Sequence, residues 1–474
     1  MSAMWGTEVD YLVVGAGAMG MAFVDTLLTE SDATVVMVDR YHQPGGHWTV
    51  AYPYVRLHQP SSFYGVGSTK LGGGRIDEVG WNKGLYELAT AGELCAYFDQ
   101  VMQRRFLPSG RVSYHPKSEY EGDGRVRSLV TGERFEVRAR KVVDATYMKV
   151  TVPSMRPPAY EVADGVDCVP PNALATEPEP AGHYTVVGAG KTGVDACLWL
   201  LANGVEPAKL TWIMPRDAWY VDRATLQPGE AMARRRGEGM AARHQAIVES
   251  TTVAELLDRL CATGQLLRLS AEVRPTMYRC ATVTTAELDQ LRRIDDVVRL
   301  GRVRRLGVDS IELDGGTVPA RPDTRYVDCT ADGLAKLPTT DVFRGDRITL
   351  QALYPCQQVF SAALIGHIEL AYEDDAAKNE LAVPAPHPNL ETDVLRANLA
   401  VSRALLRWST EPDLVDWLVQ TRLMPLFSDS AAAQALLARF PPMAEAEIDA
   451  MEKLLAQPLS AAISSSRPTA PVLR

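Results

Sequence analysis

Two glycine triplets in this sequence have the spacing of a dinucleotide-binding turn. The first is Gly15-x-Gly17-x-x-Gly20, which lies between an apolar run at 11–14 and an apolar helical stretch at 19–28. In such a turn the first glycine permits a tight bend, the second lets backbone N–H groups approach a pyrophosphate, and the third lets the helix pack on the strand. The helix N-terminus adds a positive potential. This spacing therefore predicts a site for a dinucleotide.

An acidic residue completes the first unit. Asp39 follows the next apolar run, at 34–38, at the distance where a carboxylate accepts hydrogen bonds from ribose hydroxyls. We assign this turn to FAD. The residues of this unit that we expect to contact FAD are Gly15, Gly17, Ala18, Met19, Gly20, Asp39 and Arg40.

The second triplet repeats the arrangement. Gly188-x-Gly190-x-x-Gly193 follows an apolar run at 184–187 and precedes a helical stretch at 194–201. The same physical roles of the three glycines predict a second dinucleotide site.

Two residues inside the second triplet suggest a different phosphate-binding loop. Lys191 and Thr192 occur together in the loop of P-loop nucleotide hydrolases, but that loop needs another glycine where Thr185 stands. We therefore reject the P-loop and expect Lys191 and Thr192 to contact a dinucleotide.

The residues after the next apolar run, at 210–214, indicate which dinucleotide binds there. An arginine, Arg216, occupies the region where an acid would contact a free ribose hydroxyl. Arginine at this place can accommodate a 2′-phosphate, which favours NADPH over NADH. Asp217 is adjacent and weakens that preference, and a surface role for Arg216 is the alternative.

These turns require elements that hold them, and the chain divides accordingly. Proline is dense between 153 and 182 and is incompatible there with helices and central strands, which marks a boundary. We expect an α/β fold with two Rossmann-like dinucleotide-binding domains, for FAD and NADPH. The expected parts are an FAD-binding first part at 1–152, a Pro-rich linker at 153–182, an NADPH-binding domain at 183–325 with a helical insertion at about 222–300, a returning FAD-binding part at 326–370, and a helical C-terminal region at 371–474 with a loose tail.

Composition excludes several other classes of function. The net charge of −10 gives no electrostatic basis for binding nucleic acid. No apolar run approaches the roughly 20 residues that span a bilayer, and the first residues lack the pattern of a secretory signal. The seven cysteines are scattered, and no pair has C-x-x-C spacing, so neither a zinc site nor a redox-active dithiol is indicated. A reduced, cytoplasmic protein without a bound metal is expected.

Further motifs resemble those of the class B flavoprotein monooxygenases, the group of the flavin-containing and Baeyer–Villiger monooxygenases. The segment Gly45-Gly46-His47-Trp48 is similar to the group's Gly-Gly-x-Trp segment beside the flavin, and residues 52–58 resemble its Tyr-Pro-Gly-x-Arg-x-Asp motif. Residues 143–146 and 327–330 each resemble the segments at crossings between the two domains. The resemblance covers about residues 9–335.

This resemblance implies an NADPH-dependent FAD monooxygenase that oxygenates a small organic molecule with O2 through a C4a-(hydro)peroxyflavin. It places Gly46 and Trp48 beside the flavin, with Trp48 as a shielding wall. His47 belongs to the same surroundings. Arg56 would stabilise negative charge on the flavin, and His58 would donate or accept a proton.

Two departures from the group keep other functions open. His58 and Tyr54 replace the aspartate and the glycine of the Tyr-Pro motif, and the group's long motif is absent from 155–183. An oxidase, a dehydrogenase or a flavin-assisted isomerase on the same fold is therefore the first alternative. A non-catalytic dinucleotide-binding protein is the second. Ordinary structural roles for His58 and Trp48 also remain open.

Overall fold

The computed structural model describes residues 8–176, 179–424 and 430–457. Its strands are β1 (Glu8–Val14), β2 (Val35–Val38), β3 (Val112–His115), β4 (Ser118–Gly122), β5 (Arg125–Ser128), β6 (Arg134–Glu136), β7 (Arg138–Asp144), β8 (Glu161–Val162), β9 (Cys168–Val169), β10 (His183–Val187), β11 (Leu210–Ile213), β12 (Ala218–Asp222), β13 (Leu266–Leu267), β14 (Met277–Val283), β15 (Asp296–Val298), β16 (Val303–Leu306), β17 (Ser310–Leu313), β18 (Gly316–Pro319), β19 (Thr324–Asp328), β20 (Phe343–Arg344) and β21 (Arg347–Thr349). Its helices are α1 (Ala18–Glu30), α2 (Ala91–Val101), α3 (Ala173–Thr176), α4 (Lys191–Ala202), α5 (Ala233–Glu249), α6 (Val253–Ala262), α7 (Thr285–Leu291), α8 (Gln358–Ala371), α9 (Asp375–Leu381), α10 (Asp393–Trp408), α11 (Pro412–Gln420) and α12 (Ser430–Leu455).

The first glycine turn belongs to a sheet with the strand order β20-β21-β7-β1-β2-β3. From β21 to β3 the strands pair in parallel, which explains why β1 and β2 are apolar along their length. Helix α1 connects β1 to β2 and packs with α8 against one face of this sheet. The predicted FAD-type βαβ unit is therefore confirmed as a structural unit.

The second glycine turn belongs to another sheet, with the order β15-β11-β10-β19-β9. All of its neighbouring strands pair in parallel. Helix α4 connects β10 to β11 and buries its apolar face in the core of this sheet. The expected fold class, with two Rossmann-like units, is confirmed.

The boundaries of the units differ from those expected. We expected the chain to return to the first sheet from residue 326 onwards. Strand β19 instead belongs to the second sheet, and the chain returns to the first sheet only with β20 and β21. The Pro-rich segment 153–182 also contributes β8 and β9, because short edge pairings need few backbone donors.

Within the insertion at 222–300, helices α5, α6 and α7 cover more residues than strands do, as expected. The insertion also contains β13 and β14, which were not expected and which pair with β12 in a small sheet. Helices α5 and α6 share a core with α10 and α12 of the C-terminal region. The tail expected after Gln457 lies outside the described residues. In the part of the chain that the structure describes, no helix is long and apolar enough to cross a membrane.

Candidate functional site

The first glycine turn has the geometry that its sequence predicts. Gly15 adopts a φ of +105°, in the region that favours glycine, at the end of β1. A Cβ atom on Gly20 would lie 2.1 Å from the carbonyl oxygen of Gly15, so only glycine lets α1 pack this closely on the strand. Gly17, Ala18 and Met19 line a cavity above the turn, and Gly20 lies behind them.

Asp39 ties the turn to the end of β2. Its carboxylate accepts hydrogen bonds from the backbone N–H groups of Ala16 (2.5 Å) and Tyr41 (2.7 Å), and the side chain also lines the cavity. Burial raises the pKa of this carboxyl group. Arg40 follows it, largely exposed, with an ion pair of 3.5 Å to Glu119. Asp39 is thus positioned to present its remaining oxygen lone pairs to the cavity.

Gly46 covers the same turn from above. It has a φ of +60°, and its Cα atom lies 3.6 Å from the position of a Cβ on Gly17. Two chain segments that approach so closely leave backbone groups, and no side chains, around the cavity floor. The Gly45-Gly46 pair is therefore explained by close approach of two backbones.

The second glycine turn repeats these relations. Gly188 has a φ of +124°, and a Cβ on Gly193 would lie 2.1 Å from the carbonyl oxygen of Gly188. A Cβ on Gly190 would meet no atom within 4 Å, because the position faces open space. Gly190, Lys191 and Thr192 line the same cavity as the first turn.

A polar chain connects the two turns. The ammonium group of Lys191 forms an ion pair with Asp195, one helical turn further along α4. The other oxygen of Asp195 accepts a hydrogen bond of 2.7 Å from Tyr52, in the loop that follows the first turn. Sequence reasoning did not identify Asp195, because its partner lies 143 residues away.

Arg216 does not act alone. Its guanidinium donates to the side-chain oxygen of Asn389 (3.1 Å), and Arg279 of β14 donates to the same oxygen at 2.8 Å. Burial, followed by the positive charges of Arg279 and Arg302, lowers the pKa of Arg216. Arg279 lines the cavity, whereas Arg216 lies beside it. The positive charges gathered here favour an anion.

Asp217, which weakened the assignment of Arg216, is already paired. Its buried carboxylate accepts hydrogen bonds of 2.8 and 3.1 Å from Arg299. An acid engaged in this way does not oppose Arg216 and Arg279, whose guanidinium groups are bonded to Asn389. Arg279 also pairs at 3.2 Å with Asp332, which lines the cavity. The geometry therefore favours a phosphate over a free ribose hydroxyl.

One cavity of about 1080 Å³ joins the two turns. Between them it is lined by His47, Trp48 and His58. On the side of the helical insertion its wall is largely apolar, formed by Met240, Leu260, Leu266, Met277, Val394, Val401 and Leu405. The volume and the apolar wall are those of a site that encloses an organic ligand.

His47 and Trp48 form one side of the cavity. Their rings lie 4.9 Å apart, and the indole N–H of Trp48 donates to the hydroxyl of Tyr64 at 2.9 Å. Burial lowers the pKa of His47 to about 4. The imidazole of His47 is therefore neutral at pH 7, and Trp48 is fixed in orientation.

His58 lies opposite the second turn and is held by its backbone. Its carbonyl oxygen accepts hydrogen bonds from Thr282 and from Arg223 (2.8 Å). Burial, followed by the charges of Lys191 and Arg223, lowers the pKa of His58 well below its ordinary value. Arg223 is buried and also pairs with Glu287 at 2.9 Å.

The structure does not bring Arg56 to the cavity. Val55 and Leu57 are buried, and their backbones pair with residues 89–91. Successive side chains of an extended segment point to opposite sides, so Arg56 is exposed on the outer side. Arg56 therefore does not lie where it could stabilise charge on a cofactor in the cavity, contrary to our expectation. On the inner side, the guanidinium of Arg223 donates to the carbonyl oxygen of His58 in this loop at 2.8 Å.

Two of the cysteines are joined in a disulfide, whereas all were expected to be reduced. Cys280 and Cys356 form a disulfide across 76 residues of sequence, and both line the cavity. The absence of C-x-x-C spacing gave no sign of it, because β14 and the segment ahead of α8 meet only in the folded chain. The free cysteines among the described residues are Cys95, Cys168, Cys197, Cys261 and Cys329.

Comparison with known proteins gives close relatives without a characterised function. No family model matches the chain. A protein of Mycobacterium tuberculosis and one of Mycobacterium bovis, both described as uncharacterized, are each 58% identical over 416 residues, which cover 88% of this chain and 77% of the relative.

Among solved structures, similar chains are flavin monooxygenases, the group that the motifs of this sequence resemble. A cyclohexanone monooxygenase bound to cyclohexanone is 16% identical, with a TM-score of 0.46 over 77% of this chain and 88% of that chain. A flavin-containing monooxygenase from Stenotrophomonas maltophilia is 16% identical, with a TM-score of 0.41 over 72% and 90%. The two-sheet architecture described above is established by the strand pairings of this chain itself.

Proposed function

We propose that this chain, which belongs to the same family as the uncharacterized proteins of Mycobacterium tuberculosis and Mycobacterium bovis, is an FAD-dependent, NADPH-using monooxygenase. It oxygenates a small organic molecule with O2. The observation that carries the proposal is the cavity lined by residues of both glycine turns and by two histidines that burial holds neutral.

FAD fits the first turn. The backbone of Gly17 and Ala18, at the N-terminus of α1, holds the pyrophosphate, and Asp39 accepts from the ribose hydroxyls. The backbone of Gly46 packs against Gly17, and the absence of a side chain at both positions keeps the cavity open beside them. When bound, FAD supplies the hydride acceptor and the oxygen chemistry.

NADPH fits the second turn. The open space at Gly190 admits the pyrophosphate to the N-terminus of α4, where Lys191 and Thr192 also face the cavity. Arg279 would bind the 2′-phosphate through charge-assisted hydrogen bonds, and Arg216, which shares the Asn389 oxygen with it, would add positive charge. Asp217 does not compete, since Arg299 neutralises it.

The residues between the turns control water and protons. The ring of Trp48 and the apolar wall would limit the access of water to the bound flavin. His47 and His58 are neutral, so neither carries an acidic imidazolium proton at pH 7. With FAD bound, these residues would supply few protons to the flavin and would contact the substrate only through neutral hydrogen bonds.

A flavin-dependent oxidase or dehydrogenase is the second candidate. It is favoured by His58, which stands where the Baeyer–Villiger enzymes of the resembling group keep an aspartate. A neutral histidine can accept a proton from an oxidised substrate, which suits removal of hydride without insertion of oxygen.

The experiment that separates these functions follows the spectrum of the purified protein under anaerobic conditions. NADPH is added first and O2 second, with free FAD plus NADPH as the control without protein. Bleaching of the flavin, followed by a long-lived oxygen adduct and an oxygenated product, is the expected result.

Other outcomes have distinct meanings. Bleaching followed by immediate return of oxidised flavin and release of hydrogen peroxide supports the oxidase. Bound flavin that NADPH does not bleach refutes the NADPH-dependent monooxygenase and leaves an isomerase or a binding protein.

A further inference from the structure

The disulfide of Cys280 and Cys356 joins two parts of the molecule at the wall of the cavity. Cys280 belongs to β14, in the small sheet of the insertion, and Cys356 lies directly ahead of α8, which packs against the FAD-type unit. Both residues line the cavity that we assign to FAD and NADPH.

The backbone at both cysteines is unusual. Cys280 has a φ of +55° and Cys356 a φ of +63°, in a region that few residues other than glycine adopt. At Cys280 the register of β14 against β12 shifts between Tyr278 and Thr282. Bulges of this kind redirect a side chain, and unfavourable backbone conformations are concentrated at functional sites.

The loop that carries His58 contacts the segment of Cys280 and the segment of Cys356. Gln59 donates to the carbonyl oxygen of Cys356 at 3.4 Å and accepts from Gln357 at 2.8 Å. The hydroxyl of Thr282, two residues after Cys280, donates to the carbonyl oxygen of His58. The disulfide is thereby held next to the loop placed beside the flavin, at the N-terminus of α8.

The other cavity-facing cysteine has a different character. Cys329 is fully enclosed, and burial raises the pKa of its thiol well above the ordinary value. It therefore behaves as an unreactive thiol. Cys261 of α6 does not line the cavity and offers a matched control.

We propose that Cys280 and Cys356 are a redox-active pair that takes electrons from NADPH through the bound flavin. In this step NADPH gives a hydride to the flavin and becomes NADP⁺. The reduced flavin passes two electrons to the disulfide, the S–S bond breaks, and the two sulfurs take up two protons, one that came with the hydride and one from solvent. The inference rests on the proposed function, because FAD and NADPH supply the electrons. Reduction also releases β14 from the segment ahead of α8, so the cavity wall loosens at that point.

The test counts electrons and thiols in the flavin-bound protein without oxygen. The wild type is titrated with NADPH, then alkylated, and the peptides containing Cys280 and Cys356 are identified by mass spectrometry. We expect consumption of one equivalent of NADPH beyond that which reduces the flavin, with both peptides alkylated only after NADPH. The C280S/C356S protein loses the extra equivalent, and the control Cys261→Ser keeps it.

The outcomes also separate this inference from the proposed function. If NADPH bleaches the flavin while the two peptides stay linked, the redox pair is refuted and the proposed function stands. If the flavin is bound but NADPH does not bleach it, photoreduction replaces NADPH, and linked peptides then refute the pair. A protein that carries no flavin contradicts both. The alkylation result on wild type remains decisive if the double variant fails to fold.

Discussion

Three histidines line the cavity, and two of them, His47 and His58, lie between the glycine turns. His47 and His58 lack a carboxylate partner among the described residues, and burial is the first cause of the lowered pKa in each. A histidine that burial keeps neutral has little effect on stability at pH 7. As the pH falls, the same histidine binds a proton more readily in the unfolded state, and the folded state loses stability.

This gives a prediction on stability. Unfolded histidine titrates near about 6.5, whereas folded His47 titrates at about 4. Between these values the unfolded state binds more protons, so stability falls as the pH decreases from about 6.5 to about 4. His47→Gln should reduce the loss of unfolding free energy between about pH 7 and about pH 5 by roughly 2 kcal/mol.

Urea denaturation at the two pH values measures this difference. His42→Gln, at an exposed position of the same loop, is the control and should behave as the wild type does. Identical pH dependence in wild type and His47→Gln would show that burial does not hold His47 neutral.

The arginines at the second site give a prediction on cofactor choice. Arg279→Ala should raise the KM for NADPH by about 10- to 100-fold, because a charge-assisted hydrogen bond is worth about 1.5–3 kcal/mol. Arg216→Ala should also raise the KM for NADPH more than the KM for NADH. Its effect should be smaller than that of Arg279→Ala, since Arg216 lies beside the cavity. Steady-state kinetics with NADPH and NADH test both; equal changes for the two cofactors would exclude a 2′-phosphate contact.

Single residues were predictable where the reason was local. The glycines follow from backbone geometry at their own positions. Arg56 was placed by motif resemblance alone, although its apolar neighbours Val55 and Leu57 indicate an outward side chain. Arg279 and Asp195 were missed because strand pairing and helix placement bring them to the cavity from distant parts of the chain.

Among the elements, the contacts between each glycine turn and its helix give a third prediction. Gly20→Ala should abolish retention of FAD, because the added Cβ would lie 2.1 Å from the oxygen of Gly15. Gly193→Ala should retain FAD and lose NADPH binding, because the added Cβ would lie 2.1 Å from the carbonyl oxygen of Gly188. Flavin absorbance and NADPH titration measure the two effects.

The control is Gly92→Ala, in α2, where a Cβ meets nothing within 4 Å. Circular dichroism establishes that each variant is folded. Loss of FAD from folded Gly193→Ala with NADPH binding intact would reverse the assignment of the two turns.

Elements with a regular pattern were predicted well. Both βαβ units follow from their apolar runs and from the spacing of their glycines. The strands of the insertion were not predicted, because β13 and β14 are stabilised by pairing with β12 and not by a local pattern. The sheet to which β19 belongs is likewise decided by its partners.

For the whole molecule, the decisive feature is that one cavity serves both turns. Two dinucleotide sites on separate sheets transfer hydride only if their reactive rings meet in a shared, water-poor space. The chain provides such a space, bordered by the apolar wall of the insertion and the C-terminal helices. The central claim is therefore hydride transfer from NADPH to FAD within this cavity.

Rapid mixing of the flavin-bound protein with NADPH in the absence of oxygen tests this claim most directly. We expect the absorbance of oxidised flavin to disappear in a single, saturable phase. At low cofactor concentration this phase should be at least about 10-fold faster with NADPH than with NADH, because a 2′-phosphate contact is worth about 1.4 kcal/mol or more. Flavin that stays oxidised after mixing with NADPH and also after mixing with NADH would contradict hydride transfer in this cavity.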